Sequence, residues 1–134
     1  AVGFLLNCVL VVEKIKQPER LGFCLDTCHI FAAGYDIRTE TAYHKTMAAF
    51  DAVLGLDRLK VIHLNDALRE LGSRVDRHAH IGKGKIGLQG FSLIMNDERL
   101  AHIPKILETP KKEGGIDWDR RNLDCLTAML KQDL

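Results

Sequence analysis

Residues 22–29 read G-F-C-L-D-T-C-H, an apolar run that stops on a carboxylate and reaches an imidazole three positions later. A strand buried on both faces reads this way, as a short, nearly continuous apolar segment rather than an alternating one. The pattern recurs at residues 60–64, K-V-I-H-L, which run on into N-D, and at 105–108, K-I-L-E. A segment of helical character precedes each run. Before the first, residues 5–16 carry Leu5, Leu6, Val9, Val12 and Ile15 at roughly helical spacing. Before the second, residues 40–54 place Tyr43, Met47, Phe50 and Leu54 on one face, and before the third lies the short stretch 91–96. After the last run, residues 117–130 predict a closing amphipathic helix with Leu123, Leu126 and Leu130 on one side. Strands alternating with helices predict an α/β fold with a parallel sheet, doubly wound or barrel. Three strands cannot close a barrel of eight. The 134 residues therefore read as a single partial domain (1–134), with no repeat of fixed period, low-complexity tract or linker.

The polar residues that end these runs carry the chemistry. The first gives Asp26 and His29, the second His63 and Asp66, the third Glu108. Side chains at the carboxyl ends of parallel strands converge on one face of the sheet. Residues 75–80, V-D-R-H-A-H, add Asp76 and His78, whose spacing of two puts both side chains on one face of an extended stretch. Imidazoles and carboxylates without a thiolate set are the ligand style of catalytic zinc, manganese or iron. Three converging carboxylates repel one another unless cations neutralise them, so three Asp or Glu with three His point to more than one metal ion. Taken singly, a strand-end Asp or His is more often a helix cap or a satisfied polar group, and only the convergence of six argues for ligation. His44, inside a helix, and His102, in a surface-like stretch, read as ordinary; Asp66 and His80 either orient a ligand from behind or are solvated.

Residues 82–87, G-K-G-K-I-G, resemble a phosphate-cradling loop only loosely, because the P-loop spacing is missing, and a plain glycine-rich turn is the simpler reading. Arg74, Arg77, Lys83 and Lys85 surround it, either as contacts to DNA phosphates or as a solvated charge run.

Composition narrows the class without naming it. A hydrophobic share of 46% belongs to a globular chain, and a net charge of +1 neither supports nor excludes a nucleic-acid partner. Cys8, Cys24, Cys28 and Cys125 match no zinc-finger spacing and read as reduced, intracellular and mostly buried. Residues 1–12 are mostly apolar but lack a basic residue before them and a small-residue cleavage site after them, and they are too short to span a bilayer. They read as a helix of a globular core, in a chain that begins without methionine.

Four ordered strings then resemble one family: C-L-D-T-C-H-I-F-A-A-G-Y-D at 24–36, H-L-N-D at 63–66, S-R-V-D-R-H-A-H-I-G-K-G-K-I-G at 73–87, and I-L-E-T-P at 106–110. Together they resemble endonuclease IV, the zinc-dependent apurinic/apyrimidinic endonucleases also called deoxyribonuclease IV, and specifically the C-terminal half of that family. The resemblance implies the C-terminal part of a (β/α)8 TIM-type barrel whose complete form holds three Zn2+ ions. It also implies base excision repair of double-stranded DNA containing abasic sites. The phosphodiester on the 5′ side is cleaved, leaving a 3′-hydroxyl and a 5′-deoxyribose phosphate. Carried over by position, His29, Asp76 and His78 would hold one zinc, a complete site within this chain. Asp26, His63 and Glu108 would form the catalytic group and hold a second zinc with a glutamate from an earlier strand. That glutamate and two further histidines belong to the family's N-terminal half. The implied partners are thus abasic DNA and the missing half-barrel, with no membrane, in the cytoplasm or nucleoid, and the chain alone is expected to be inactive. Mn2+ suits the same ligands. Two alternatives accompany this reading: a zinc-binding fragment without catalysis, and a metal-dependent sugar isomerase or epimerase barrel.

Overall fold

The computed structural model describes residues 2–131. Helix α1 (Val2–Val12) leads through a 3-10 turn (Pro18–Arg20) to strand β1 (Phe23–Asp26), helix α2 (Thr27–Ala32) and helix α3 (Glu40–Val53). A second 3-10 turn (Leu56–Arg58) precedes β2 (Leu59–His63), followed by two short strands, β3 (Asp66–Ala67) and β4 (His78–Ala79). Helix α4 (Leu88–Met95), a third 3-10 turn (Glu98–Leu100), β5 (Lys105–Ile106), the pair β6 (Lys112–Glu113) and β7 (Ile116–Asp117), and helix α5 (Trp118–Ala128) complete the order.

The three apolar runs form one parallel sheet in the order β1-β2-β5. Register matters more than order here. Asp26 pairs with His63, and His63 pairs with Ile106, so the polar ends of the strands lie side by side on one edge. Leu25 and Ile62 point into a core closed by Phe31, Tyr43, Met47 and Ile94. Helix α3 behaves as its pattern predicts: Tyr43, Met47, Phe50 and Leu54 are all buried, and Thr39 caps its start by accepting the Ala42 N–H at 3.2 Å. An alternating arrangement of parallel strands and helices, open on both sheet edges among the described residues, is part of a barrel rather than a closed one.

Several expectations shift. Helix α1 starts earlier than predicted and stops at Val12; only Leu5 of its apolar stripe is buried, while Leu6, Leu10, Val11 and Ile15 are exposed. Helix α4 begins at Leu88, three residues before the expected stretch. Strand β5 ends at Ile106, and Glu108 stands two residues beyond it. Helix α5 turns a different face inward: Leu126 is buried, but Leu123 and Leu130 are about half exposed, and Asn122 takes a core position. The reason is polar, since the Asn122 carboxamide has three partners beneath the helix. Of the cysteines, all free, only Cys28 is buried and Cys24 is exposed.

Three features escaped the periodicity argument because they are too short to show a period. Helix α2 has six residues and starts straight off β1. Strands β3 and β4 pair antiparallel over two residues each. Strands β6 and β7 form a tight hairpin through Gly114 and Gly115, both at positive φ, as a two-residue turn that follows strand twist requires. No helix among the described residues is long and apolar enough to cross a membrane.

Candidate metal centre

Asp26 does two jobs at once. As the last residue of β1 it accepts the His29 N–H at 3.0 Å through Oδ1, which starts helix α2. His29 consequently lies on the first turn of a helix rather than at a strand end. The other oxygen, Oδ2, accepts the Asn65 carboxamide at 2.9 Å and faces His63 Nδ1 and His78 Nε2, each at 3.6 Å.

The six predicted side chains form one continuous line of contacts. His29 Nδ1 is 3.2 Å from Asp76 Oδ2, and Asp76 Oδ1 is 3.5 Å from His78 Nε2. His78 reaches Asp26, Asp26 reaches His63, and His63 Nδ1 lies 2.7 Å from Glu108 Oε2. Around a tetrahedral zinc with bonds near 2.1 Å, ligand atoms sit roughly 3.4 Å from one another. The separations of 3.2–3.6 Å along most of this line match that spacing. Three carboxylates, each with an imidazole nitrogen within 3.6 Å and all at one rim, are a donor set suited to zinc.

His78 is oriented from behind. Its Nδ1 donates to the Glu108 carbonyl oxygen at 3.0 Å, which leaves Nε2 free as a ligand atom between Asp76 and Asp26. His78 therefore stands between the two groups of three rather than wholly in one. Donor atoms of Asp26, His78 and Glu108 all lie within 4.8 Å of one another, as do those of Cys28, Asp76 and His78. The buried Cys28 is the less suitable donor, because thiolate is the ligating form. Its Sγ–H donates to the Arg77 carbonyl at 3.4 Å, and burial, then Asp76 and Asp26, push the thiol up to about 12. Burial also opposes ionisation of Asp76, but hydrogen bonds from His29 and Cys28 with the nearby imidazoles hold its carboxyl below the usual range.

Asn65 and Thr27, both fully buried, were not singled out from the sequence. Asn65 donates to Asp26 and accepts the Glu108 N–H at 2.8 Å, so one carboxamide spans the outer two strand ends of the sheet. Thr27 Oγ1 donates to the Asn65 carbonyl at 2.6 Å and accepts the Asn65 N–H at 2.9 Å. The position of Asn65 between His63 and Asp66 was the only available signal.

Asp66 does not join the line. Its carboxylate is fully buried and accepts backbone N–H groups from Ala67, Gly82, Ile86 and Gly87 at 2.8–3.3 Å. The glycine-rich stretch thus wraps a carboxylate of its own chain, and those amides are not presented to a phosphate. The stretch is a glycine-rich turn built around Asp66. His80 is buried instead of solvated, stacked on Trp118 at 3.8 Å. His44 is exposed beside Glu40, and His102 is exposed. Of the four basic candidates, Arg74 shares the lining of an open cavity of about 410 Å³ with His29 and Asp76. Arg77 donates to the Asp76 carbonyl at 3.0 Å, Lys83 is exposed, and Lys85 is paired with Glu70 at 2.9 Å.

The family model described as xylose isomerase-like TIM barrel matches residues 8–129. The chain belongs to that family. Within it, the resemblance to endonuclease IV holds over most of the chain. A probable endonuclease 4 from Chloroflexus aggregans is 55% identical over 119 residues, which are 89% of this chain and 41% of that protein. The apurinic-apyrimidinic endonuclease of Caenorhabditis elegans is 55% identical over 101 residues, 75% of this chain and 26% of the relative. The crystal structure of endonuclease IV from Thermus thermophilus superposes with a TM-score of 0.70 at 44% identity, over 79% of this chain and 37% of that one. The chain thus spans about two fifths of the length of the curated bacterial relatives it matches.

Proposed function

We propose that this chain is the zinc-holding part of a DNA-repair endonuclease that cuts the phosphodiester 5′ to abasic sites. The observation that carries the proposal is the line of six side chains, His29, Asp76, His78, Asp26, His63 and Glu108, on the rim where parallel strands end. Relatives named endonuclease 4 and apurinic-apyrimidinic endonuclease support the choice of reaction.

In this reading His29, Asp76 and His78 anchor one ion, while Asp26, His63 and Glu108 form the catalytic group. Zinc held there would supply Lewis acidity toward a phosphoryl oxygen and lower the pKa of a bound water toward neutrality. The chain's own residues supply orientation. Asn65 holds Asp26 and Glu108 at a set spacing, and the Glu108 carbonyl fixes which nitrogen of His78 faces the site. Arg74, beside His29 and Asp76, places a cation where a phosphate would approach, and Arg77 and Lys83 extend that charge over the surface. Lys85 contributes less because Glu70 neutralises it.

The test uses a full-length protein that carries this segment and a duplex oligonucleotide with one abasic site. Incision at that site, abolished by a chelator and restored by Zn2+, is the expected result, with His78→Ala cutting the rate at least a hundredfold by the usual cost of lost metal ligation, roughly 3 kcal/mol of barrier. An enzyme that ignores the abasic duplex and interconverts an aldose and a ketose would replace the proposal with the sugar-isomerase reading. Zinc binding with neither activity would leave a non-catalytic metal protein.

A further inference from the structure

We propose that Asn122, on helix α5, is a positioning residue for the metal centre, an inference that rests on the zinc reading above. Its carboxamide is 2% exposed and makes three hydrogen bonds to two different segments. Oδ1 accepts the Ile81 N–H at 3.0 Å, and Nδ2 lies 3.1 Å from His80 Nδ1. Nδ2 also donates to Thr109 Oγ1 at 3.0 Å. Ile81 and His80 follow directly on the strand that presents His78, and Thr109 adjoins Glu108.

One side chain therefore ties the segment bearing Asp76 and His78 to the segment bearing Glu108. On the open side, among the described residues, the same two segments are joined by the bond from His78 Nδ1 to the Glu108 carbonyl. An attachment on one side leaves the segments free to pivot about it, and the Asn122 bonds underneath restrict that freedom. The underside is further secured by Trp118, stacked on His80 at an interplanar angle of 9°, and by Glu113, whose Oε2 lies 3.2 Å from His80 Nε2. Metal affinity is sensitive to such support: loss of a group behind the ligands typically weakens binding 10- to 100-fold. Asn122 touches no candidate ligand itself, so its effect on zinc would be transmitted entirely through backbone position.

The experiment is a competition titration of the full chain with Zn2+ and a chromophoric chelator, alongside urea denaturation of each variant. Asn122→Leu keeps the branching at Cγ and removes all three bonds; its zinc affinity is expected to fall at least tenfold. Leu126→Ala, on the same helix and equally buried, is the control and is expected to lower stability while leaving zinc affinity within twofold. If Asn122→Leu does not fold, Asn122→Asp decides, because it keeps the acceptor for Ile81 and loses the Nδ2 donor that faces both His80 and Thr109; a fall of at least threefold is expected. Wild-type zinc affinity in the folded Asn122 variant, or an equal loss in Leu126→Ala, would overturn the positioning role and leave the metal centre standing. A wild-type chain that binds no zinc would overturn both.

Discussion

Asp26 and Asp66 both follow an apolar run, and their surroundings give them opposite tasks. Asp26 turns one oxygen toward two imidazoles on an open rim, whereas Asp66 spends its oxygens on four backbone N–H groups inside the protein. Asp66→Ala would strand those donors away from water, at a cost of about 3 kcal/mol, given that each buried unsatisfied group costs about 1–3 kcal/mol and some will rehydrate. Urea denaturation measures it; a loss under about 1 kcal/mol would mean the loop does not depend on this carboxylate. Asp97 offers a pH-dependent counterpart. Burial works against its charge, but Arg99, at 2.8 and 3.0 Å, and the Tyr43 hydroxyl, at 2.7 Å, hold its carboxyl below the ordinary range. A depressed folded value means stabilisation that is complete above the unfolded carboxylate value and lost as pH falls through the folded one. Asp97→Asn should therefore cost about 1 kcal/mol at pH 7, modest because Arg99 is half exposed. That difference from wild type should shrink toward zero on acidification below the carboxylate range. A penalty that persists in acid would assign the effect to packing.

At the scale of elements, the turn at 82–87 and helix α5 do supporting work that their composition hides. Gly84 is the tight point of the turn: a Cβ there would lie 2.4 Å from the Ala67 carbonyl and 2.5 Å from Asp66 Oδ1. Both obstacles belong to the buried cradle, so Gly84→Ala should destabilise the chain by about 1–3 kcal/mol, the usual cost of overpacking, seen as a lower urea midpoint. Gly87, by contrast, has open space at its Cβ but a φ of 78°, so Ala there would meet backbone strain and no clash. Helix α5 shows why hydrophobic pattern alone misplaces a face. Leu123, Leu126 and Leu130 look like its buried stripe, yet one asparagine with three partners rotates the helix so that only Leu126 goes inside. Satisfying a buried carboxamide outweighs hiding half of two leucines, because an unpaired buried amide costs more than a partly exposed methyl.

For the whole molecule, the sheet has unpaired strand edges at β1 and β5 among the described residues, and α1 presents Leu6, Leu10 and Val11 to solvent. Parallel strands with open edges seek neighbours. Sedimentation of the 134-residue polypeptide should accordingly show association that grows with concentration; a monodisperse monomer up to high concentration would contradict this. Zinc should matter to stability as well. Binding to the folded state alone raises the melting temperature, and a chelator should lower it, with about one tightly held ion per chain by elemental analysis. Because the ligands must be deprotonated, that zinc-dependent increment should fade in acid.

The three parallel strands and the α/β class are legible in the amino-acid sequence alone, as are Asp26 and His63 at the polar ends of two strands, because apolar runs that stop on polar residues are local statements about burial. Residues 23–26 and 59–63 were legible for that reason, as was the face of α3. The folded chain alone shows that backbone N–H groups wrap the Asp66 carboxylate, that Asn65 links Asp26 to Glu108, and that Asn122 links Ile81 to Thr109. Those roles depend on hydrogen bonds between residues 13 to 43 positions apart, and a polar side chain carries no local mark of which distant partner will satisfy it.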